Sequence, residues 1–290
     1  MKIVHRSGIA AALVLPVLLA GCSLFPTKRH LPVPKTPAVV QTTTPDELVK
    51  LVDQRWDALT NLTATVEIAA HDATKDYPSC RGFIVMRRPN MLRVAGTYFG
   101  VKLFDMASDG SHFTLVIPSK SLAIEGSNAV TEKSANQWEN LRPGFFLDAI
   151  AVRGLDPEDE YMVASDSETV EDAANKHLYV EPEYVLSVMR RKNNHENLPV
   201  RTVTFHRDDM MPYDQYIYDK DGTLDTQIFY SNYVTFSAGK YPSKIVIRLP
   251  QEKLEFDLAV DRVEENVNPI PPDSQFQVKI PEGTTIRQLK

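Results

Sequence analysis

The chain has 290 residues, a formal net charge of −6, and only two cysteines. Its Lys and Arg residues are scattered, without the basic stripe that nucleic-acid binding requires, so we expect no nucleic-acid partner. Two cysteines exclude a disulfide framework and a cysteine metal site, and Cys80 is expected to be a small buried hydrophobic residue.

The first 21 residues have the pattern of a signal peptide. Lys2 and Arg6 provide a basic start, residues 9–19 are apolar, and the small residues Ala20 and Gly21 follow. The apolar stretch is too short to span a bilayer. Residues 1–21 are therefore predicted to be removed.

The sequence Leu18-Leu19-Ala20-Gly21-Cys22 resembles a bacterial lipobox. This resemblance implies cleavage before Cys22, a thioether-linked diacylglycerol on its sulfur, and an N-acyl group such as palmitate on the new terminus. Several acyl chains, each contributing about 0.8 kcal/mol per buried methylene, hold a protein firmly on a membrane. The alternative is an ordinary secretory signal in which the cysteine is coincidental.

The sequence after the anchor also bears on location. Ser23 and Leu24 include no acidic residue, which by resemblance to enteric lipoproteins favours the outer membrane. No later segment has about 20 consecutive apolar residues, so the mature chain is expected to be anchored without spanning. We expect a lipid-anchored protein of the outer membrane that faces the periplasm.

Residues 22–45 are predicted to be a tether. They contain five prolines and the run Thr42-Thr43-Thr44, with few large apolar side chains. Such a composition cannot bury a core, and an extended chain of about 3.1 Å per residue could hold the following domain several nanometres from the lipid.

The predicted β domain, residues 46–290, opens with a helix. Thr44 is a suitable N-cap, and Asp46 and Glu47 lie where the helix dipole favours negative charge. Apolar residues at helical spacing then form one stripe. These residues are Leu48, Leu51, Val52, Trp56 and Leu59.

Beyond this helix, apolar and polar residues alternate as in half-buried strands. Asp109-Gly110 and Asp221-Gly222 are strong hairpin turns, and residues 138–150 are predicted to be helical. Strands follow one another without crossover helices, which predicts a mostly β (α+β) fold with an antiparallel sheet. The predicted strands cover residues 62–68, 83–86, 91–95, 101–104, 113–117, 177–180, 184–189, 200–206, 213–218, 226–233, 245–249 and 254–260.

This order of elements resembles the LolA/LolB-type lipoprotein carriers and their lipoprotein relatives. The resemblance runs through residues 62–68 and 81–94, continues in 96–100 and 106–115, and returns in the closing segment 271–283. It implies a curved sheet or incomplete β-barrel with a helical lid, whose concave face binds acyl chains. The segment from Tyr161 to Arg207 is longer and more charged than in the compact carriers.

The resemblance also implies which residues contact lipid. Apolar strand residues are expected to line the concave cavity, which needs shape and few polar groups. Tyr98 and Phe99, between Gly96 and Gly100, match a protruding apolar loop that hands lipid to the bilayer in membrane-anchored members; alternatively, both pack under the rim of the sheet. The predicted cavity residues are Leu62, Val66, Leu92, Leu103 and Leu115.

Motifs for catalysis or metal binding are missing from the sequence. No two histidines have metal-ligand spacing, and no Gly-x-Ser-x-Gly elbow or phosphate loop occurs. The acidic segments 156–160 and 166–172 lack calcium-loop spacing and are predicted to be solvated loops. We expect no enzyme activity, no metal, and no cofactor apart from the acyl groups on Cys22.

Five tyrosines, at positions 213, 216, 218, 230 and 233, form an unusual aromatic group. Tyr216 and Tyr218 share a strand face, and the Asp221-Gly222 turn is predicted to bring Tyr230 opposite them. The group is either a cross-strand aromatic ladder or an amphipathic wall at a ligand mouth or membrane edge.

Two functions remain open at this point. The first is a monomeric binding module that holds an acyl chain or a lipid-modified protein, with membrane lipid and a periplasmic carrier as partners. The second is a structural or interaction lipoprotein whose cavity is filled. A packed inner face without a pocket of several hundred Å³ would favour the second.

Overall fold

The computed structural model describes residues 39–129, 136–172, 177–237 and 239–289. The predicted signal peptide, Cys22 and most of the predicted tether lie outside these ranges. The chain divides into two compact units. One comprises residues 37–168 and 181–290, and of the other only 169–172 and 177–180 are described, as strand.

The described residues contain two α-helices, α1 (Pro45–Ala58) and α2 (Pro143–Ile150). The strands are β1 (Asn61–Asp72), β2 (Asp76–Arg87), β3 (Met91–Tyr98), β4 (Val101–Ser108), β5 (His112–Ile117), β6 (Leu122–Ser127), β7 (Asp159–Asp172), β8 (His177–Asn193), β9 (Glu196–His206), β10 (Pro212–Tyr218), β11 (Leu224–Phe236), β12 (Gly239–Leu249), β13 (Leu254–Glu265) and β14 (Thr285–Gln288). The last residues of β7 and the first of β8 belong to the smaller unit.

All fourteen strands belong to one sheet in the order β14-β6-β5-β4-β3-β2-β1-β13-β12-β11-β10-β9-β8-β7. The recorded pairs are antiparallel except β14 with β6, which is parallel. The first and last strands of this order are not paired with each other, so the sheet is open. The predicted mostly β, antiparallel fold is confirmed.

The sheet curves around α2, and the contacts of this helix show why. The helix touches β3 and β4 and also β12, although β4 and β12 are five strand spacings apart. At about 4.8 Å per spacing, a flat sheet would separate them by about 24 Å. Because a helix is only about 10–12 Å wide, the two sides of the sheet must bend towards each other to contact it. The surface that faces α2 is called the inner face below.

Both predicted hairpin turns are present. Asp109-Gly110 joins β4 to β5, and Asp221-Gly222 joins β10 to β11. Gly110 and Gly222 have φ values of 99° and 81°, a region that side chains other than glycine rarely adopt. Each turn places consecutive strands side by side, and this local pairing makes the sheet largely sequential.

Two predictions of local structure were wrong in part. Residues 166–172, predicted to be a solvated loop, belong to the edge strand β7. Charged residues on an edge strand discourage pairing with another chain, which explains why a strand there has a loop-like composition. The predicted helix 138–150 begins only at Pro143, because residues 137–140 form a separate 3-10 turn.

The helix α1 begins with a capping box. The Thr44 hydroxyl accepts a hydrogen bond from the Glu47 amide at 3.3 Å, and the Glu47 carboxylate accepts one from the Thr44 amide at 2.9 Å. Both bonds satisfy amide groups that the first helical turn leaves open. The predicted Thr44 N-cap is confirmed.

The end of the predicted tether contacts the sheet. The Gln41 amide donates to the Arg207 carbonyl at 2.7 Å, and the Arg207 guanidinium donates back to the Gln41 carbonyl at 3.0 Å. The Thr43 amide donates to the Tyr184 hydroxyl at 3.2 Å. Residues 41–44 are therefore held against the loop that joins β9 to β10.

The two helices cover two separate hydrophobic clusters. The cluster under α2 joins the helix residues Phe145 and Phe146 to Phe256 of β13, with ring centroids 5.5 and 5.7 Å apart. The cluster under α1 contains residues of α1, β8 and β9. The long, charged segment from Tyr161 to Arg207 therefore extends the sheet and provides the surface on which α1 packs.

Tertiary hydrogen bonds satisfy the last carbonyl groups of α2. The Tyr241 hydroxyl donates to the Ile150 carbonyl at 2.8 Å, and the Tyr230 hydroxyl and the Gln215 amide donate to the Asp148 carbonyl at 3.3 and 3.0 Å. A helix leaves its last four carbonyls without intrahelical partners. Side chains from three strands therefore fix the C-terminal end of this short helix.

Candidate functional site: a cavity between the two helices

A cavity of about 310 Å³ lies on the inner face between α1 and the end of α2. It exists because neither helix is long enough to cover the sheet: α2 has 8 residues, about 12 Å at 1.5 Å per residue, and α1 covers other strands. Its walls are Val52, Arg55, Trp56, Ala58, Leu59, Ile150, Ala151, Val152, Phe205, Met211, Pro212, Tyr230, Tyr233, Lys240, Tyr241, Pro242 and Glu265.

Three tyrosines dominate the sheet side of the cavity. The hydroxyls of Tyr230 and Tyr241 donate to carbonyls of α2, and the hydroxyl of Tyr233 donates to the Pro212 carbonyl. Burial raises the pKa of all three phenols, so they stay neutral. Because their polar atoms are already bonded to the backbone, the rings supply apolar wall area with few free polar groups.

An irregularity in β11 brings two of these rings to the same cavity. Tyr230 and Tyr233 are three residues apart, and strict strand alternation would place them on opposite faces. Asn232 between them has a φ of 54°, which interrupts the alternation. Both rings line the cavity as a result.

Three charged residues line the cavity. Arg55 donates from Nη1 to the Met210 carbonyl at 2.8 Å, and burial lowers the pKa of its guanidinium, which nevertheless stays charged. Lys240 is paired with Asp209 at 2.6 Å. Burial raises the pKa of Glu265 and so favours its neutral form.

The five predicted cavity residues do not line this cavity. Four of them are at most 4% exposed and pack in the cluster under α2, and Leu103 is half-buried against the same cluster. They pack in the same hydrophobic cluster as α2, and Val66 and Leu92 line two smaller cavities of about 290 and 250 Å³. Lipid binding by these five residues stays a prediction. The four buried residues are Leu62, Val66, Leu92 and Leu115.

Tyr98 and Phe99 form an exposed tip at the turn between β3 and β4. Phe99 is 90% exposed with a φ of 46°, and Tyr98 is 45% exposed, with ring centroids 4.6 Å apart. They do not pack under the rim of the sheet. The tip and the cavity lie at opposite ends of β3, which at 8 residues spans about 26 Å.

The tyrosine group divides between the two faces of the sheet. Tyr216 pairs with Gln227 and contacts the ring edge of Phe229, with centroids 6.2 Å apart. The predicted pairing of Tyr230 with Tyr216 was wrong, because Tyr230 lies on the other face beside Ile228. Tyr230 and Tyr233 therefore form part of an amphipathic wall, as one of the two predicted arrangements has it. Tyr216 makes a cross-strand aromatic contact, as the other has it.

Sequence reasoning missed most of the cavity. Arg55 is one of several polar residues between the members of the apolar stripe of α1. Ala151 and Tyr241 belong to no recognisable motif. Only the tyrosine group contained a signal, since Tyr230 and Tyr233 were identified as a possible ligand wall. A search for tyrosines near the predicted end of a covering helix would have included Tyr241.

Across the described ranges, no three His, Cys, Asp or Glu side chains are arranged to hold a metal ion. Within the same residues, no helix combines the length and the apolar character needed to cross a bilayer.

A group of acidic side chains surrounds His206 beside the β9–β10 loop. Its Nε2 lies 3.4 Å from Glu183 and 3.5 Å from Glu181, and its ring stacks on Tyr213 at 3.4 Å between centroids. Burial and the neighbouring carboxylates raise the pKa of Glu183 to about 7. The carboxylates that act on Glu183 are Glu168, Asp214, Asp166 and Glu181.

This raised pKa predicts that the protein gains stability as pH falls. Glu183 holds its proton more tightly in the folded than in the unfolded chain, so its contribution is complete at about pH 4 and lost as pH rises through about 7. We expect chemical denaturation to give a free energy of unfolding up to about 2 kcal/mol higher at about pH 5 than at about pH 8. Glu183→Gln should reduce this difference, whereas Glu196→Gln, an exposed control, should retain it. An unchanged pH dependence in Glu183→Gln would contradict the assignment.

The fold is shared with solved bacterial proteins. No protein-family model matches the sequence, and a search of curated proteins gives no significant match. A LolA superfamily protein from Nitrosomonas europaea superposes with a TM-score of 0.52 at 14% identity, over 82% of this chain and 99% of that one. A DUF1329 family protein from Desulfovibrio piger gives 0.50 at 13% identity, over 80% and 95%. The resemblance to the LolA/LolB-type carriers is thereby confirmed at the level of the fold.

Proposed function

We propose that this protein is an envelope lipoprotein, anchored through Cys22, that binds an acyl chain in the cavity between α1 and α2. The observation that carries the proposal is the cavity itself: about 310 Å³, walled by aromatic and aliphatic side chains whose polar atoms are largely bonded elsewhere. Ligand pockets of about 300–1,000 Å³ with these properties are typical of small-molecule sites.

The cavity volume limits the ligand. At about 310 Å³ the cavity lies at the lower end of the range for ligand pockets. It therefore suits one acyl chain better than the several acyl chains of a complete lipoprotein anchor. We therefore propose a single-chain ligand as the resident cargo. Receipt of whole lipoproteins from a periplasmic carrier, and their insertion into the outer membrane, would need α2 to move.

The position of α2 favours a second candidate function. The inner face beneath this helix forms a buried hydrophobic cluster, and three side chains bind the helix carbonyls at its C-terminal end. A fixed lid is typical of a protein that keeps its interior closed, as a structural or interaction lipoprotein would. No step of either function requires a catalytic group.

Binding of an acyl probe to the purified full-length chain tests the proposal. Replacing Cys22 by serine in all samples removes the chain's own acyl groups, which would otherwise compete. We expect a fluorescent fatty acid to bind saturably with one site per chain, and native mass spectrometry to show one lipid mass retained. Absence of both signals would leave the structural lipoprotein as the better account.

The exposed tip provides a separate proposal about membrane contact. Phe99, Tyr98 and Val101 are between 45% and 90% exposed and lie at the turn between β3 and β4. Scattered exposed apolar residues need no explanation, but a group at one protruding turn is typical of an interaction surface. We propose that this tip enters the headgroup region of the bilayer while the tether holds the domain nearby.

Replacing Phe99 by aspartate should weaken vesicle binding. Loss of one inserted aromatic ring removes about 1–2 kcal/mol, which corresponds to a decrease of roughly tenfold in partition to phosphatidylethanolamine–phosphatidylglycerol vesicles. Val234→Asp is the matched control, because Val234 is 44% exposed but lies in β11, away from the tip. The measurement is vesicle flotation in the Cys22→Ser background, and a greater loss in Val234→Asp would show that another surface meets the membrane.

A further inference from the structure

One cation at the cavity, Arg55, forms no direct ion pair in the described part of the chain, and the carboxylate that acts on it from a distance, Asp209, is already bound by Lys240 and Tyr213. Among the described residues no carboxylate forms an ion pair with Arg55, whose one recorded hydrogen bond goes to the Met210 carbonyl. A guanidinium has five N–H donors in a planar fork that fits a carboxylate or a phosphate. Arg55 therefore keeps donors available on a group that lines an otherwise apolar space.

The other charged groups do not compete for this role. Lys240 is already neutralised by Asp209, which also accepts a hydrogen bond from the Tyr213 hydroxyl at 3.3 Å. Glu265 is the acidic residue among the cavity walls, and its burial favours the uncharged form. Arg55 is thus the cationic group of the cavity wall that forms no direct ion pair among the described residues.

Arg55 is also held in place. In α1 it lies three residues after the buried Val52. Its hydrogen bond to the Met210 carbonyl fixes the guanidinium against the β9–β10 loop. A donor that is already oriented loses less conformational entropy when it binds a ligand. The cavity therefore combines an apolar space for an acyl chain with an oriented cation that can bind the head group of the same ligand.

We propose that the ligand is a single-chain amphiphile with an anionic head, and that Arg55 binds this head while the chain lies against Tyr230, Tyr233 and Tyr241. The inference rests on the proposed acyl-binding function and specifies its ligand class. A fatty-acid carboxylate and the phosphate of a lysophospholipid share the relevant chemistry.

Competition between probes of equal chain length tests this assignment. Palmitate, palmitoyl-lysophosphatidylglycerol and the neutral monopalmitoylglycerol are each used to displace a fluorescent acyl probe from the full-length Cys22→Ser chain. A charge-assisted hydrogen bond predicts that at least one anionic probe binds about tenfold more tightly than the neutral one. The two anionic probes distinguish a carboxylate head from a phosphate head.

Variants of the cavity residues test whether Arg55 causes the preference for anionic probes. Arg55→Met should bring the ratio of anionic to neutral affinity close to one, Arg55→Lys should keep most of it, and Glu265→Gln should not lower it. Arg191→Met is the control. Arg191 is an exposed arginine of β8 that is paired with Glu160 of β7, so this variant should keep the parent ratio.

The outcomes separate this inference from the proposed function. If none of the three probes binds, the acyl-binding function is wrong and the head assignment with it. If all three bind with equal affinity, or if Arg55→Met keeps the parent ratio, only the head assignment is overturned.

Discussion

Replacing Phe256 by alanine is expected to lower the free energy of unfolding by about 3–5 kcal/mol. Phe256 is 5% exposed and stands at the centre of an aromatic cluster, with Phe145, Phe146 and Trp138 at 5.5, 5.7 and 6.1 Å between ring centroids. Its removal leaves a cavity under α2 that neighbouring rings cannot fill without leaving their own contacts. The measurement is urea denaturation, with the midpoint lowered and the slope unchanged.

Phe83→Ala is the matched control for this prediction. Phe83 lies on β2, two strands away from β13 in the same sheet, and is 50% exposed, so we expect its truncation to cost less than about 1 kcal/mol. Equal losses in the two variants would show that α2 does not depend on this cluster. A reduced slope in Phe256→Ala would instead indicate that the helix has already detached in the native state.

Filling the cavity is expected to have the largest effect on function. Ala151 lies at the end of α2 with extended backbone angles, φ −151° and ψ 127°, which accept an aromatic side chain without strain. Ala151→Phe would place a ring in a chamber of only about 310 Å³. We expect the affinity for an acyl probe to fall at least about tenfold, because the ring occupies space that the chain needs.

The same substitution on the opposite face provides the control. Ala259 is exposed on β13, away from the cavity, so Ala259→Phe should bind the probe as the parent does. Both variants are compared by fluorescence titration after circular dichroism has shown unchanged secondary structure. Unimpaired binding by a folded Ala151→Phe would mean that the acyl chain lies elsewhere and would overturn the assigned site.

Local patterns predicted most of the sheet. Each predicted strand lies within an observed one, and the helix that begins after Thr44 was recognised from its cap and apolar stripe. Those features depend on neighbouring residues only. The strands that were missed, β6, β7 and β14, lie at or near the edges of the sheet, where one face or one partner is lacking and apolar alternation is weak.

The cavity could not be predicted in the same way. Alternation showed that Leu62 and Leu115 face inwards, but nothing in it showed that α2 would cover them. The covering depends on hydrogen bonds between α2 and Tyr230 and Tyr241, which are 82 and 91 residues away from their acceptors in sequence. Contacts at such separations leave no periodic signal.

The position of the exposed tip has a consequence for lipid transfer. The resemblance to carriers implied that Tyr98 and Phe99 hand over the ligand, yet the cavity opens near the other end of the strands. The end of the tether, at Gln41, is held by Arg207 of the loop that also contains Met210 and Met211. The proposed anchor would therefore connect to the side of the domain where the ligand is proposed to enter.

The sequence by itself determined the antiparallel β class, the hairpin turns, the first helix and the inward set of apolar residues, because each depends on periodicity or on a few adjacent residues. It also carries the lipobox-like segment at Cys22 on which the proposed anchor rests. Only the tertiary structure decided that the inward set is packed and that the open space lies between the helices at Arg55 and the three tyrosines. The location of the cavity depends on where the eight-residue helix α2 ends on the curved sheet. The end of the helix is set by packing between residues that are distant in the chain.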